Sequence, residues 1–411
     1  MGAPLWTAVA AWGVFFIANA QRIDVVPFFN DLRAVYRVDY AGVGGLLSAY
    51  LLGYVLAQIP AGLAADNMPA RRVTIAGLAC MTVTSALFAL TGRYVPALAL
   101  RFLMGLSGAA LYSSTVKLML GVARNRGAAM GILQSGAGAG MVAGLFLMPL
   151  MSGWTGMPAA FLALAAATAA VLAGGAVCLP AGAPPRSAGE PAHRQIGGIA
   201  GQPAFLALSG SVFLALFSAY GITAWLPTYL ANAFGFSRTA AGGMVAVVNV
   251  ALLAASPVAG NLSDRIGART PVILAGFGVL VASFALLAGV RSAAGVAVST
   301  VLAGTGLALT LPVLTTLTTE LFGIDRAGVA VSLNLAVGQV ASTISGVLFG
   351  YVLDATRSFT LVWLLGLAIA LAGFVPAAAL RRAEHSSRAA AAAGGCEAAG
   401  GPARDGGTTA G

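Results

Sequence analysis

The chain has 411 residues, of which 59% are hydrophobic and only 8% charged, with a formal net charge of +10. That charged share is about a third of the ~25% usual in soluble domains, too little to cover a soluble surface. Apolar runs of about 20 residues, each long enough to cross a ~30 Å hydrocarbon core as a helix, recur along the whole length and predict an all-α integral membrane protein.

Charged and Gly/Pro-rich breaks divide the chain into twelve predicted spans. The first six are Leu5 to Leu32, Ala41 to Ala65, Val73 to Leu90, Val95 to Leu120, Gly127 to Leu150 and Pro158 to Leu179. The second six are Ala204 to Leu230, Thr239 to Leu262, Pro271 to Val290, Ala293 to Leu317, Ala327 to Leu353 and Phe359 to Leu380. A Gly/Pro/Ala connector between them gives the domain plan: a bundle at 1–180, a linker at 181–203, a bundle at 204–381 and an Ala/Gly-rich tail at 382–411 that reads as disordered.

With the N-terminus inside, loops and tail on the cytoplasmic side hold thirteen arginines and the outer loops six, which places both termini in the cytoplasm. The positive charge is therefore a topology signal and not a sign of nucleic-acid binding. No basic n-region precedes the first span, so no cleavable signal peptide is expected. Cys80 and Cys178 fall in spans and Cys396 in the tail, which implies neither a disulfide framework nor a metal site.

An internal repeat follows. "GLAADNMPARR" after the second span and "GNLSDRIGART" after the eighth place Gly62 and Gly260, and Asp66 and Asp264, at the same offset of 198 residues. Parallel repeats of this kind build carriers whose site lies at midplane between two rocking halves. In these residues the chain resembles the major facilitator superfamily, whose loop signature of roughly G-x-x-x-D-R-x-G-R-R is matched by Gly260, Asp264, Arg265, Gly267 and Arg269. The first-half copy keeps Gly62, Asp66, Arg71 and Arg72 but carries Asn67 and Pro69 where the signature has Arg and Gly. "RFLMGLSG" in the fourth span resembles the family's R-x-x-x-G element through Arg101 and Gly105. The resemblance implies twelve transmembrane helices in two six-helix pseudo-symmetric bundles and alternating access. The loop charges read as latches, an Asp at one helix end pairing with Arg at the next start in one conformation only.

Charged groups at membrane depth are the candidate site. Arg22, in "FFIANAQRIDVVPFF", is costly in lipid unless water or a partner meets it, and its planar fork suits a carboxylate, phosphate or nitrate. Asn19 shares its face, and Arg22 resembles the first-span arginine of anion-carrying branches in its spacing to "LLSAYLLGY". The plainer alternative is an arginine pairing with Asp24 or snorkelling outward. Lys117, the single lysine, stands near Ser113 and Ser114 and reads either as an anion contact or as a snorkelling side chain. From the other half, Tyr220 is the candidate wall, whereas Trp225 and Tyr229 read as an interfacial belt. Gln134, Asn249, Asn334 and Gln339 are the embedded amides, each a substrate contact or an interhelical tie. His193 and His385 lie outside the spans, so proton coupling would fall to Asp24, Glu320, Lys117 or the substrate itself, with Glu320 more ordinarily paired to a loop arginine such as Arg265.

Gly136, Gly140 and Gly144 in the fifth span allow close helix approach. Drug/proton antiporters of the superfamily carry Gly-Pro in that helix, and here no proline precedes Pro149, which weighs against efflux. The composite expectation is a secondary carrier of a small mono- or dicarboxylate, proton-coupled, in a bacterial inner membrane. A drug/proton antiporter and a nitrate-, nitrite- or cyanate-like anion carrier are the alternatives. The expected partners are the anionic substrate, protons and the bilayer, with no nucleic acid; a monomer is expected, with no cofactor or metal, and no enzyme motif is present.

Overall fold

A polypeptide in lipid must satisfy every backbone polar group internally, and this chain does so with helices. The computed structural model describes residues 2–122, 126–180 and 198–384. Most of the predicted linker, the tail beyond Glu384, and with them Arg124, Arg186, Arg194, Arg388, Arg404, His193, His385 and Cys396, lie outside the described residues.

Twelve helices among the described residues are long and apolar enough to cross a membrane. In the first half they are α1 (Leu5–Tyr36), α2 (Tyr40–Gln58), α3 (Ala70–Leu90), α4 (Tyr94–Val122), α5 (Ala129–Thr155) and α6 (Met157–Cys178). In the second half they are α7 (Pro203–Phe234), α8 (Arg238–Ile266), α9 (Thr270–Gly289), α10 (Ala293–Phe322), α11 (Val329–Thr356) and α12 (Phe359–Glu384). The described chain starts and finishes at the same end of the bundle, called here the terminal end; the loops at Tyr40, Tyr94 and Asp354 mark the distal end. Helix after α2 continues to Asn67, and helical residues run unbroken from Ala293 to Thr356. Asn334 nevertheless hydrogen-bonds Thr318 at 3.1 Å. A straight helix would separate residues 16 apart by about 24 Å, so this run turns back between α10 and α11.

Lipid offers no hydrophobic drive for helix association, and close backbone approach through small residues takes its place. Along α5, Gly136, Gly140 and Gly144 meet the carbonyls of Trp12, Phe16 and Ala20, three residues likewise spaced by four on α1. Between α2 and α4, a Cβ on Gly105 would lie 1.9 Å from the Tyr50 carbonyl oxygen, and one on Gly53 would lie 2.1 Å from that of Phe102. The second half repeats the contact, with Gly304 of α10 set against the carbonyl of Val248 on α8. Val248 follows Tyr50 by the same 198 residues that separate the two loop signatures.

The halves meet at the distal end. Asp354 of α11 accepts from the backbone N–H groups of Tyr40 (3.0 Å) and Ala41 (2.8 Å), the exposed donors that start α2. Ser48 donates to the Thr343 carbonyl at 2.5 Å, Asn30 to Asn232 at 2.8 Å, and Arg238 pairs with Asp31 at 2.5 Å. One π-turn in α5, Ala143–Leu147, brings the Leu145 carbonyl against Gly242 of α8.

Gly105→Ala should sharply lower the yield of monodisperse protein in fluorescence-detected size exclusion, because its Cβ meets backbone and not a movable side chain. Gly121→Ala, with nothing within 4 Å, should leave the yield unchanged.

Candidate functional site

The site begins with a break in α1. Pro27 lacks an N–H and its ring clashes with the carbonyl four residues earlier, so the helix stops at Ile23 and resumes, after a 3-10 turn at Val26–Phe28, with Phe29–Tyr36. The last carbonyls before the break need donors, and Arg101 of α4 supplies them. Its Nη1 donates to the Gln21 carbonyl and to Asp24 Oδ1, both at 2.9 Å, and its Nη2 to the Arg22 carbonyl at 3.2 Å. The guanidinium is fully buried, with the rings of Tyr50 and Phe88 at 5.0 and 5.6 Å. Asp24 thus pairs with Arg101 and not with Arg22, and its Oδ2 is buried without a hydrogen-bond partner.

Freed from Asp24, the Arg22 side chain enters a cavity of about 270 Å³ between the halves. Four elements of the first half and one of the second line it, each with residues on a single helical face. From α1 come Phe15, Ala18, Asn19 and Arg22, and from α2 Tyr50, Tyr54 and Gln58, spaced by four. Tyr112 and Leu111 of α4, Gln134 of α5, and Leu335 and Gln339 of α11 complete most of the wall. The Arg22 guanidinium lies 4.4 Å from the centre of the Tyr54 ring, a cation–π contact, and its Nη2 has no hydrogen-bond partner. No carboxylate is among the described lining residues.

Of the residues singled out from sequence, Arg22, Asn19, Gln134 and Gln339 meet in this cavity. The others do not line it. Lys117 is exposed and Ser113 half-buried on α4, both outside the lining. Ser114 is buried and bonds Thr74 of α3 at 2.7 Å, a tie between two helices. Asn334 likewise joins Ser209 of α7 to Thr318 of α10. Asn249 is half-buried on α8, outside the lining, and Tyr220 is buried in the main core, outside the lining but within electrostatic reach of Arg22. Trp225 and Tyr229 form no interfacial belt: Trp225 is fully buried and donates to the Gly346 carbonyl at 3.2 Å, and Tyr229 packs among Phe234, Phe359 and Trp363.

At the terminal end of the second half, Arg269 joins three helices. Its Nη1 pairs with Asp264 at 2.5 Å and its Nη2 with Glu320 at 2.7 Å. Glu320 therefore meets Arg269 and not Arg265, which is exposed. Hydrogen bonding to Glu320 first, and then to Asp264, holds the Arg269 pKa above the usual arginine value. Gly267 supplies the left-handed turn this loop needs, with φ of 67°, and Glu384 caps α9 through the N–H groups of Arg269 (2.6 Å) and Thr270 (3.1 Å). Gly260 has open space around it. In the first-half copy Arg71 donates to the Ala176 carbonyl at 2.5 Å, Arg72 and Gly62 stand at the same end, and the Asp66 side chain lies outside the described residues.

A family model described as the Major Facilitator Superfamily matches residues 8–237 and again 208–403. The chain belongs to this superfamily. It is an integral membrane transporter with twelve spans in the superfamily's fold. By sequence it is similar to the multidrug resistance protein Stp of Mycobacterium tuberculosis, 36% identical over 147 residues, which is 35% of this chain. The chain spans about a quarter, 27%, of that relative's length. Its fold is similar to that of the nucleoside transporter NupG (TM-score 0.78, 12% identity, 91% of this chain and 99% of the other). It also matches a bacterial homolog of the human lysosomal transporter Spinster in an inward-facing, occupied conformation, with a TM-score of 0.72, 15% identity, and 95% and 97% of the two chains covered.

The two sides of the buried pair should respond unequally to mutation. Arg101→Ala leaves Asp24 buried without its cation and should cost about 3–5 kcal/mol. Asp24→Asn leaves Arg101 with its carbonyl acceptors and should cost far less; thermal unfolding of the two purified variants checks the order.

Proposed function

We propose that the protein is a secondary active transporter that moves a small organic anion of the carboxylate type by alternating access, coupled to protons, across a bacterial inner membrane with both termini cytoplasmic. The observation that carries this reading is the Arg22 guanidinium, turned into a cavity without a carboxylate in its lining and with one nitrogen unpartnered. A fixed cation at this depth is costly alone and is compensated when an anion enters. Lys117 is given no contact with the cargo, so a single charge favours a monocarboxylate over a dicarboxylate. The volume and the rings fit an organic anion better than nitrate or cyanate. With the termini inside, the distal contacts close the outer side, the arrangement expected of an inward-facing carrier.

For coupling, Asp24 is the better of the two candidates. It adjoins Arg22 in sequence and keeps one carboxylate oxygen unpartnered, whereas both oxygens of Glu320 accept from Arg269. The pairing of Glu320 suits the latch. Export of amphipathic drug-like molecules is the second reading, favoured by the likeness to Stp and by the rings of Phe15, Tyr50, Tyr54 and Tyr112 in the wall. The missing acid argues against cationic drugs.

Uptake of labelled monocarboxylates into proteoliposomes, with and without a pH gradient, tests the reading. Arg22→Gln should reduce anion transport at least tenfold while the protein stays folded, and Asp24→Asn should abolish the response to the gradient while sparing exchange. Transport of cations alone, indifferent to Arg22, would reject the anion assignment.

A further inference from the structure

The polar groups that the cavity leaves unpaired specify more than a charge. The Asn19 amide donates to the Phe15 carbonyl at 2.9 Å, and the Tyr50 hydroxyl to the Ala18 carbonyl at 3.2 Å. Three buried atoms that belong to lining residues have no hydrogen-bond partner: Arg22 Nη2, Gln58 Oε1 and Gln339 Oε1. The first is a cationic donor. The other two are acceptors, and a buried acceptor left unmet costs about 1–3 kcal/mol. Around them the wall is ring and aliphatic surface, including Phe15, Tyr54, Tyr112, Leu111 and Leu335.

From this pattern we infer that Gln58 and Gln339 select the cargo, and that the cargo is a flat monoanion bearing an O–H or N–H donor some distance from its charge. The inference rests on the anion reading above and deepens it. Arg22 stacks on Tyr54, and Gln58 follows Tyr54 by one helical turn, about 6 Å along α2. A carboxylate on Arg22 therefore has its complement about one ring length away. A cavity of about 270 Å³ is of the order that takes a small organic acid such as a substituted benzoate. The two amides also come from opposite halves, Gln58 from α2 and Gln339 from α11. A cargo with two donor hydrogens, such as an amino group, can be held by both and so joins the halves, which a single hydroxyl or an apolar anion of equal size cannot do.

Binding of benzoate and of its 4-hydroxy and 4-amino analogues to the purified full-length protein, by equilibrium titration, tests the assignment. Wild type should bind the donor-bearing analogues about tenfold more tightly than benzoate, as expected for a site built around a hydrogen bond. Gln58→Leu and Gln339→Leu should each lower the preference for the 4-amino analogue, and at least one of them should bring the 4-hydroxy ratio near one; benzoate, which no longer leaves that acceptor unmet, should bind more tightly to the variant than to wild type. Equal wild-type affinity for all three, each weakened by Arg22→Gln, would overturn the selection by amides and leave the anion reading standing. Absence of binding by all three, with no competition from other carboxylates, would overturn both. The wild-type comparison decides the matter even where a glutamine variant does not fold.

Discussion

Arg101 reaches from α4 into the break that Pro27 opens in α1, and the site is arranged around that reach. A helix that stops in the membrane exposes carbonyls that lipid cannot satisfy. Here the guanidinium bonds two of them and the Asp24 carboxylate together. The pair is buried at high desolvation cost, so its worth lies in fixing one arrangement and not in stability as such. Because Asp24 is held by Arg101, the neighbouring Arg22 has no acid to neutralise it from its own helix turn. Its charge is directed to the cavity.

The same economy of charge explains the gates. At the distal end a carboxylate, Asp354, meets the N–H groups that open α2, so a helix start of one half is satisfied by the other half. At the terminal end Arg269 gathers Asp264 and Glu320 inside one half. In the proposed rocking motion, bonds of the first kind break because they join the halves, whereas the Arg269 pairs lie within one half and open only if the latch is released. The close glycine contacts between α2 and α4, and between α8 and α10, hold the helices of each half together.

Much of the fold was legible because spans and repeats are written in composition and spacing. Apolar length placed the twelve helices, and the 198-residue offset placed the two halves. Arg22 stood out because arginine at that depth has few explanations. What could not be read was the azimuth of each helix. Lys117 looked central by depth, and Ser114 and Asn334 looked available by type, yet which neighbour each helix packs against decides whether a hydroxyl or amide faces the cavity or an adjoining helix. Pro27 was visible, but its consequence required knowing that Arg101 lies beside it. A signal for the missed wall residues was present: Tyr50, Tyr54 and Gln58 recur every four residues along α2, a polar stripe on one face of an otherwise apolar span.

The most direct test of the central claim is a structure of the protein with a transported monocarboxylate bound, at a resolution that orients the carboxylate. The account predicts a carboxylate oxygen within hydrogen-bond distance of Arg22 Nη2, with the Arg101–Asp24 pair intact behind it. A guanidinium turned onto a carboxylate of its own chain, with the cargo seated elsewhere, would contradict it.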